Sequence, residues 1–203
     1  AMPLSQKVGI FLDADGVLWP DNGPGEILNG LAEAKIRLNE FTKVLKHRDQ
    51  YTIHIVTNQT LSARGQMNHF KFKSKVNETF MDLVIQNLVD SFEVCYHHPQ
   101  AKNILLRRNN CQCRKPAPGM ILKTINKYNL KPERCVIVGD RITDISAGRA
   151  AQVRKAILIN NPRALEVNVN SRINTNLDPI LEFSLSQNLL EAASIIVEFM
   201  NHD

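Results

Sequence analysis

Two carboxylates, Asp13 and Asp15, follow an apolar run that begins at Val8 and is long enough for one buried strand. Where a strand unwinds into a loop, side chains two positions apart can point at one ligand. In a parallel sheet, ligands bind in the crevice beyond the carboxyl ends of the strands. A carboxylate there can attack phosphorus, and a neighbouring carboxyl can give and take protons. Taken alone, the pattern is equally typical of a strand followed by an ordinary turn at Gly16.

Polar groups also follow or connect later strand-like segments. They are Thr57-Asn58, Arg114-Lys115, and the acids Asp140 and Asp144. Together with the first pair, these groups place carboxylates, a hydroxyl and a lysine around one crevice of a doubly wound sheet. Acids gathered in one place repel each other unless a cation is present, and their hard oxygen ligands suit Mg²⁺. Mg²⁺ and a lysine together can clamp the oxygens of a phosphoryl group.

The segments that must position these residues alternate between strand-like and helix-like patterns. Strands are predicted over 8–12, 51–56, 91–96, 134–139 and 155–159. Helices are predicted over 28–47, 74–89, 120–128, 144–151 and 190–200, with a short helix or lid over 61–68 and coil over 160–176. This alternation is typical of a parallel sheet covered by helices on both faces, with right-handed crossovers. We therefore expect an α/β fold with a doubly wound parallel sheet, formed by a single domain over residues 1–203.

A second group of possible ligands consists of two close pairs, Cys95-x-His97 and Cys111-x-Cys113. Three sulfur atoms and one imidazole match a closed, tetrahedral zinc site. Cysteines so close together favour a metal site over a disulfide framework. Such a site would pin the basic loop between the pairs, which has no strand or apolar core of its own. His98 is a competing ligand, and the alternative to a site is a strand with incidental cysteines.

Bulk composition narrows the class of protein. The chain has 203 residues, of which 43% are hydrophobic and 22% charged, as in ordinary soluble globular proteins. A net charge of +5 is compatible with an anionic substrate, but with only 6% aromatic residues it does not indicate nucleic-acid binding. No apolar run approaches the roughly 18 residues of a membrane helix, and no signal peptide is visible. We therefore expect a cytoplasmic monomer with no nucleic-acid or membrane partner, and we expect Cys135, which opens a predicted strand, to lie in the core.

The order of the motifs resembles the haloacid dehalogenase superfamily of aspartate-nucleophile phosphatases. The motifs are Asp-x-Asp-Gly, Thr-Asn-Gln, Arg-Lys-Pro and Gly-Asp-Arg-x-x-Asp, and the resemblance runs from about residue 8 to residue 159. It implies a Rossmann-like core with Asp13 as the nucleophile and Asp15 as the general acid and base. It also implies that Thr57 donates a hydrogen bond to the phosphoryl group and that Lys115 neutralises its charge.

The same resemblance implies a magnesium site. Mg²⁺ would be bound by Asp13, the backbone carbonyl of Asp15, and Asp140. Asp144 would be a supporting acid, and we leave it outside the catalytic set, because a carboxylate that stabilises the start of a helix explains it equally well.

One longer pattern is similar to that of the D-glycero-D-manno-heptose 1,7-bisphosphate phosphatases. It reads Cys-Tyr-His-His-Pro-Gln … Cys-Gln-Cys-Arg-Lys-Pro-Ala-Pro-Gly-Met. The related histidinol-phosphate phosphatases carry the same four zinc ligands with a much shorter loop, so the long basic loop favours the heptose enzymes, and the family pattern favours His97 over His98 as the ligand. The resemblance implies removal of one phosphate, at C7, from a heptose bisphosphate through an aspartyl-phosphate intermediate. The alternatives are a histidinol-phosphate or other small sugar-phosphate phosphatase and, with less support, a nucleic-acid 3′-phosphatase.

The resemblance also implies a set of substrate contacts around the crevice. They are Asp21, Asn22, Gly23 and Pro24 in a flap, Asn58, Gln59 and Thr60 after the second strand, and Arg114 and Arg141. No segment is long enough for a large cap domain, so we expect the flap 19–26 and the zinc-pinned loop 102–113 to form the lid. The chain departs from the family pattern in Asp-Ala-Asp-Gly-Val, in Trp19-Pro20 and in the long segment 161–183. These departures leave the catalytic roles intact and leave the sugar and its anomer open.

Overall fold

The computed structural model describes residues 2–159 and 182–201. In this part of the chain, parallel strands form one sheet of β1 (Val8–Leu12), β2 (Tyr51–Asn58), β3 (Ser91–Cys95), β4 (Cys135–Gly139), β5 (Lys155–Ile159) and β6 (Glu182–Ser186). The α-helices are α1 (Leu31–Leu45), α2 (His69–Ile85), α3 (Gly119–Tyr128), α4 (Ile142–Ala150) and α5 (Leu189–Asn201). Single 3₁₀ turns occur at Leu4–Gln6, Glu26–Leu28, Arg48–Gln50, Ile104–Leu106 and Pro132–Arg134.

β1 lies inside the sheet, whose strand order is β3-β2-β1-β4-β5-β6. The chain adds β2 and β3 on one side of β1 and then crosses to the other side for the remaining strands. Leu12, the last residue of β1, lies beside Ile55 of β2 and Val138 of β4. The order therefore reverses at β1, and a ligand-binding crevice opens at this point beyond the carboxyl ends of the strands.

Apolar residues cover both faces of the sheet. Every residue of β1 and β4 is buried, which explains why these strands appear in the sequence as continuous apolar runs. One face packs against α1, α2 and α5 through residues that include Leu38, Phe41, Phe80 and Ile196. The other face packs against α3 and α4 through Ile121, Ile125 and Ile145. The predicted doubly wound parallel sheet is confirmed.

Strand β6 was not predicted. Of its residues only Ser186 is buried, so no apolar run marks it in the sequence. Its assignment depends on pairing with β5, where Leu185 lies beside Leu158. The coil predicted over 160–176 lies outside the described residues.

Of the short helix or lid predicted over 61–68, the helix is wrong, because these residues form turns and bends, and the lid stays a prediction. Helix α2 begins at His69, where the side chain of Asn68 accepts a hydrogen bond from the backbone N–H of Lys71 at 3.2 Å. This start is earlier than the predicted one and places Phe72 in the core, while Phe70 stays 81% exposed. An Asn that caps a helix start is a recognisable signal, and here it marks the true boundary.

The segment between β1 and β2 holds a flap and α1, and the described residues contain no large cap domain. The longest connection, from β3 to α3, carries the two pairs of zinc-ligand candidates. None of the described helices is long and apolar enough to cross a membrane.

Candidate active site and metal centres

The carboxyl end of β1 carries the first acid of the site. The backbone N–H of Asp13 donates to the carbonyl of Val138 on β4 at 3.0 Å, so Asp13 is held directly beside the neighbouring strand. Its side chain is buried. One carboxylate oxygen from each of Asp13, Asp140 and Asp144 lies within 4.8 Å of the others. The structure thus brings together the acids that follow β1 and β4.

Two glycines make the space in which these acids gather. Gly16 has a φ of +78°, in the left-handed region, and a Cβ there would lie 2.1 Å from Oδ2 of Asp140. A Cβ on Gly139 would lie 2.3 Å from the side chain of Asp144. Any larger residue at these positions would displace a carboxylate.

Lys115 lies among the acids and is almost fully buried. Its Nζ lies 2.8 Å from Oδ1 of Asp13 and 2.5 Å from Oδ1 of Asp144, and it donates to the carbonyl of Val56 at 2.7 Å. These contacts use every hydrogen of the ammonium group. Burial disfavours the charge, but the two carboxylates outweigh it and hold the pKa of Lys115 above its ordinary value. Lys115 is therefore a fixed positive charge beside Asp13.

Asp15 is held by two neutral donors. Nε1 of Trp19 donates to Oδ1 at 2.7 Å, and Nε2 of Gln59 donates to Oδ2 at 3.0 Å. Nε2 of Gln59 also donates to Oγ1 of Thr57 at 3.1 Å, and Thr57 is fully buried near the end of β2. Burial, followed by the charge of Asp13, raises the pKa of Asp15 to about 7. A carboxyl with this pKa is suited to give and to take protons near neutral pH.

The clustered acids raise one another's pKa. Burial, followed by the charge of Asp13, raises the pKa of Asp140 to about 7. The same two causes raise the pKa of Asp144 to about 6, against the opposing effect of Lys115. A cation among the carboxylates would remove this repulsion, and carboxylate oxygens are ligands that Mg²⁺ prefers. The carboxylates of Asp13 and Asp140 therefore fit Mg²⁺, while Asp144 pairs with Lys115.

Cys95, His97, Cys111 and Cys113 form a second cluster, at the base of the loop between β3 and α3. The Sγ atom of Cys95 lies 3.9 Å from that of Cys111 and 3.0 Å from that of Cys113. Nδ1 of His97 lies 3.3 Å from Sγ of Cys113 and 3.8 Å from Sγ of Cys95. Zn–S bonds of about 2.3 Å give a tetrahedral site edges of about 3.8 Å. The distances from Cys95 to Cys111 and to His97 match this edge, and the two distances to Sγ of Cys113 are shorter. The ligand types and their proximity suit one zinc ion, with Nδ1 of His97 facing the sulfur atoms.

Two other candidates lie outside this cluster. Nδ1 of His98 accepts a hydrogen bond from the backbone N–H of Gln100 at 3.1 Å. Sγ of Cys135 is buried and donates to the carbonyl of Lys131 at 3.2 Å. His98 is thus half-buried with its Nδ1 bound to the backbone, and Cys135 is a core cysteine.

Of the predicted substrate contacts, Asp21 and Arg141 lie close enough to the acid cluster to act on the charge of Asp140. Asp21 forms an ion pair with Arg141, which follows Asp140. Nη1 of Arg114 donates to the carbonyl of His97 at 3.1 Å, so the cluster of cysteines and His97 helps to position this arginine. The other predicted contacts in the flap, Asn22, Gly23 and Pro24, are exposed or half-buried.

The polar side chains at the end of β2 and just after it bind other parts of the protein. Asn58 hydrogen-bonds the backbone of Lys115, and Gln59 binds Asp15. Oγ1 of Thr60 accepts a hydrogen bond from Nε of Arg64 at 3.2 Å. In this structure, Asn58 and Gln59 support the catalytic candidates.

Sequence reasoning missed the role of one site residue, Trp19. Asp144 is predicted to be a supporting acid or a carboxylate at a helix start, and its pairing with Lys115 and the hydrogen bond that its Oδ2 accepts from the backbone N–H of Arg141 at 3.1 Å agree with both interpretations. Trp19 was included in the flap, but it is fully buried and bound to Asp15. The signal in the sequence is a large aromatic residue, Trp19, four positions after Asp15 in a loop rich in Pro and Gly.

Comparison with known proteins first gives the class of enzyme to which the fold belongs. The family model described as HAD-hyrolase-like matches residues 112–161, which include Lys115 and Asp140. A solved structure of D,D-heptose 1.7-bisphosphate phosphatase from B. bronchiseptica, complexed with magnesium and phosphate, is 21% identical with a TM-score of 0.67. The match covers 95% of this chain and 99% of that chain, so the two folds agree. Fold and site together define a hydrolase of the haloacid dehalogenase superfamily.

Relatives in sequence narrow the class to one family. The D-glycero-beta-D-manno-heptose-1,7-bisphosphate 7-phosphatase of Pasteurella multocida is 28% identical over 183 residues, which is 87% of this chain and 94% of the relative. The protein of the same name from Haemophilus influenzae is 31% identical over 157 residues, covering 74% of this chain and 80% of the relative. This chain belongs to the D-glycero-beta-D-manno-heptose-1,7-bisphosphate 7-phosphatase family. The resemblance stated from the motifs is confirmed.

Proposed function

We propose that this chain is a Mg²⁺-dependent phosphatase that hydrolyses D-glycero-β-D-manno-heptose 1,7-bisphosphate to heptose 1-phosphate and inorganic phosphate. The observation that carries the chemistry is the position of Asp13 at 2.8 Å from the buried ammonium group of Lys115, with Asp15 beside it. The substrate is supported by relatives of that name, one of which, from Vibrio cholerae, is 32% identical over 162 residues.

Asp13 is the nucleophile of this reaction. Its carboxylate attacks the phosphorus of the C7 phosphate, Thr57 donates a hydrogen bond to an oxygen of the transferring group, and the positive charge of Lys115 neutralises that group. As the bond between phosphorus and the C7 oxygen breaks, Asp15 gives its proton to that oxygen. The products of this step are heptose 1-phosphate and an acyl phosphate on Asp13.

Water completes the cycle. Asp15, now a carboxylate, takes a proton from water as the water oxygen bonds to phosphorus and the bond from Asp13 to phosphorus breaks. Inorganic phosphate leaves, Asp13 is again a carboxylate, and Asp15 again carries a proton. A pKa of about 7 for Asp15 suits both halves of the cycle.

The magnesium ion would be bound by the carboxylates of Asp13 and Asp140 and the backbone carbonyl of Asp15. When bound, it supplies positive charge to the phosphate oxygens. The remaining acid of the cluster, Asp144, is not among the proposed magnesium ligands. It forms an ion pair with Lys115 at 2.5 Å.

Recognition of a bisphosphate needs a group for the second phosphate. Arg114 is suited to this, because a guanidinium binds phosphate through two parallel hydrogen bonds and a lysine does not. Arg114→Lys should lower kcat/KM for the bisphosphate more than for p-nitrophenyl phosphate, by a difference on the order of 1.5–3 kcal/mol. The matched control is Arg108→Lys, at an exposed position where Nη1 donates to the carbonyl of Arg107. Equal losses on both substrates would assign Arg114 to the shared chemistry.

The substrate is tested by measuring kcat/KM for a panel of phosphate esters. The panel contains both anomers of heptose 1,7-bisphosphate, histidinol phosphate, fructose bisphosphate and a 3′-phosphorylated oligonucleotide. We expect the β-anomer of heptose bisphosphate to have the highest value. A higher value for histidinol phosphate or the oligonucleotide would refute the proposed substrate while leaving the phosphatase chemistry in place.

The single domain, the monomeric state and the cytoplasmic location remain predictions. We also propose that the substrate is a small molecule and not a nucleic acid, which agrees with the modest net charge of +5. Size-exclusion chromatography with light scattering tests the oligomeric state, and a dimer mass would contradict the prediction.

A further inference from the structure

Trp19 makes a contact with Asp15 that the motif residues do not explain. Its indole N–H donates to Oδ1 of Asp15 at 2.7 Å. The backbone also pairs Asp15 with Trp19 in an isolated β-bridge. In it, the N–H of the next residue, Gly16, donates to the carbonyl of Trp19 at 2.8 Å and closes the turn. Trp19 is fully buried, so water does not compete for its N–H.

The core fixes the direction of this indole. Its ring stacks on that of Phe80 from α2, with centroids 6.3 Å apart and planes inclined by 16°. Gly30, just before α1, approaches so closely that a Cβ there would lie 2.5 Å from two ring atoms of Trp19. An indole packed in this way cannot turn without moving a helix, so its N–H stays directed at Asp15.

Gln59 holds the other oxygen of the same carboxyl. Its Nε2 donates to Oδ2 of Asp15 at 3.0 Å, so each carboxyl oxygen has one neutral donor. Two fixed donors on two oxygens set the plane of the Asp15 carboxyl. Each oxygen keeps a second lone pair for a moving proton.

We propose that Trp19 is a positioning residue for Asp15: its indole N–H sets the orientation in which the carboxyl gives a proton to the leaving alcohol and takes one from the attacking water. The inference rests on the proposed function and adds a residue outside the recognised motifs. Proton transfer needs donor and acceptor within about 2.6–3.2 Å, and a freely turning carboxyl would spend much of its time out of reach. The proton passes from Asp15 to the leaving oxygen as the ester bond breaks, and it is replaced from water as the acyl phosphate breaks.

The first test is Trp19→Phe, which removes the N–H and keeps an aromatic ring against Phe80. Since kcat/KM covers the steps up to phosphoryl transfer, it reports on departure of the leaving group. Alkyl phosphates such as glycerol phosphate have a poor leaving group that needs a proton, whereas p-nitrophenyl phosphate does not. We expect kcat/KM to fall about tenfold or more for alkyl phosphates and less than about twofold for p-nitrophenyl phosphate, as part of the 10²–10⁴-fold that general acid–base catalysis supplies. Equal losses on both classes, or no loss on either, would overturn the proposal.

A second variant keeps the test decisive if Trp19→Phe folds poorly. Trp19 is the one tryptophan of the chain, so replacing tryptophan by benzothienylalanine changes this residue alone. Sulfur then takes the place of the N–H in a ring of nearly the same shape. The same selective loss with an unchanged unfolding midpoint is expected, and full activity on alkyl phosphates would overturn the proposal.

The contact itself can be observed without turnover. Because the chain has one tryptophan, its nitrogen–proton NMR spectrum should show one indole signal, and Asp15→Asn should move that signal because the acceptor changes. An unmoved signal would overturn the proposal. The kinetic comparison needs only simple esters, so hydrolysis of glycerol phosphate with heptose bisphosphate left intact would refute the proposed substrate and still decide the role of Trp19.

Discussion

Asn58 holds the backbone of Lys115 at two points. Its Oδ1 accepts the N–H of Lys115 at 3.1 Å, and its Nδ2 donates to the carbonyl of Lys115 at 3.2 Å. A carboxamide can serve a backbone donor and a backbone acceptor at once. The end of β2 therefore fixes the loop that carries Lys115 into the acid cluster.

Asn58→Ala should lower kcat at least tenfold, because misplacement of a catalytic group by about 1 Å can cost about 10²-fold. The free energy of unfolding should fall by about 1–3 kcal/mol, since two backbone groups lose their partner. Steady-state kinetics and urea unfolding measure the two effects. The matched control is Asn39→Ala, at an exposed site where Nδ2 donates to the carbonyl of Lys35 at 2.8 Å. Wild-type kcat in Asn58→Ala would show that Lys115 does not need this support.

Gly16→Ala should raise the Mg²⁺ concentration needed for half-maximal activity. The new Cβ would lie 2.1 Å from Oδ2 of Asp140 and displace a proposed ligand. Gly65→Ala is the matched control, because Gly65 has a similar φ of +75° but its nearest neighbour, Lys102, is 3.5 Å away. A magnesium titration of phosphate release compares them. An equal Mg²⁺ requirement in both variants, or full turnover of the unmodified protein in excess EDTA, would contradict the proposed site.

The proposed zinc site of Cys95, His97, Cys111 and Cys113 leads to a prediction of metal content. Freshly purified protein should contain about one zinc per chain, because four protein ligands fill a structural site. Cys113→Ser should lose most of the zinc and also lower activity on bisphosphates, since Arg114 is tied to the carbonyl of the ligand His97. Cys135→Ala, a change outside the cluster, should keep the zinc. Elemental analysis of the variants provides the measurement, and a disulfide within the cluster would count against the site.

His54 makes stability depend on pH. It is fully buried in β2, with Nδ1 2.7 Å from Oγ of Ser91 and Nε2 2.8 Å from Oγ1 of Thr52. Burial lowers the pKa of His54 from 6.5 to about 4. The unfolded chain therefore takes up a proton below about pH 6.5 that the folded chain refuses. The contribution of neutral His54 is fully present above this pH and is lost as the pH falls towards 4, by about 3 kcal/mol in total.

The test of this pH dependence is urea unfolding at intervals between pH 4 and pH 7. His54→Asn cannot titrate, so its loss of stability over this range should be smaller than that of the unmodified protein. His47→Asn changes an exposed histidine whose φ of 34° suits asparagine, and it should keep the full pH dependence. If His54→Asn retained the same dependence, another group would be responsible.

Local sequence patterns are sufficient to predict the strands that are completely buried. The runs that form β1 and β4 are apolar throughout, and each is followed by an acid, so both the strands and the positions of Asp13 and Asp140 could be predicted. β6 has one buried residue and is defined by pairing with β5, which no local pattern records. Side-chain contacts between distant residues could not be predicted for the same reason. Asn58 and Lys115 are 57 residues apart, and their contact exists only once the sheet has formed.

Phosphorus NMR of the β-anomer of heptose 1,7-bisphosphate, incubated with the protein and Mg²⁺, tests the proposed reaction most directly. We expect the signal of the C7 phosphate to be replaced by inorganic phosphate while the signal of the C1 phosphate persists. A parallel sample of Asp13→Asn should show no change, because the shape of the side chain is kept and the nucleophile is lost. Loss of the C1 phosphate first, an unchanged substrate, or turnover by Asp13→Asn would contradict the assignment.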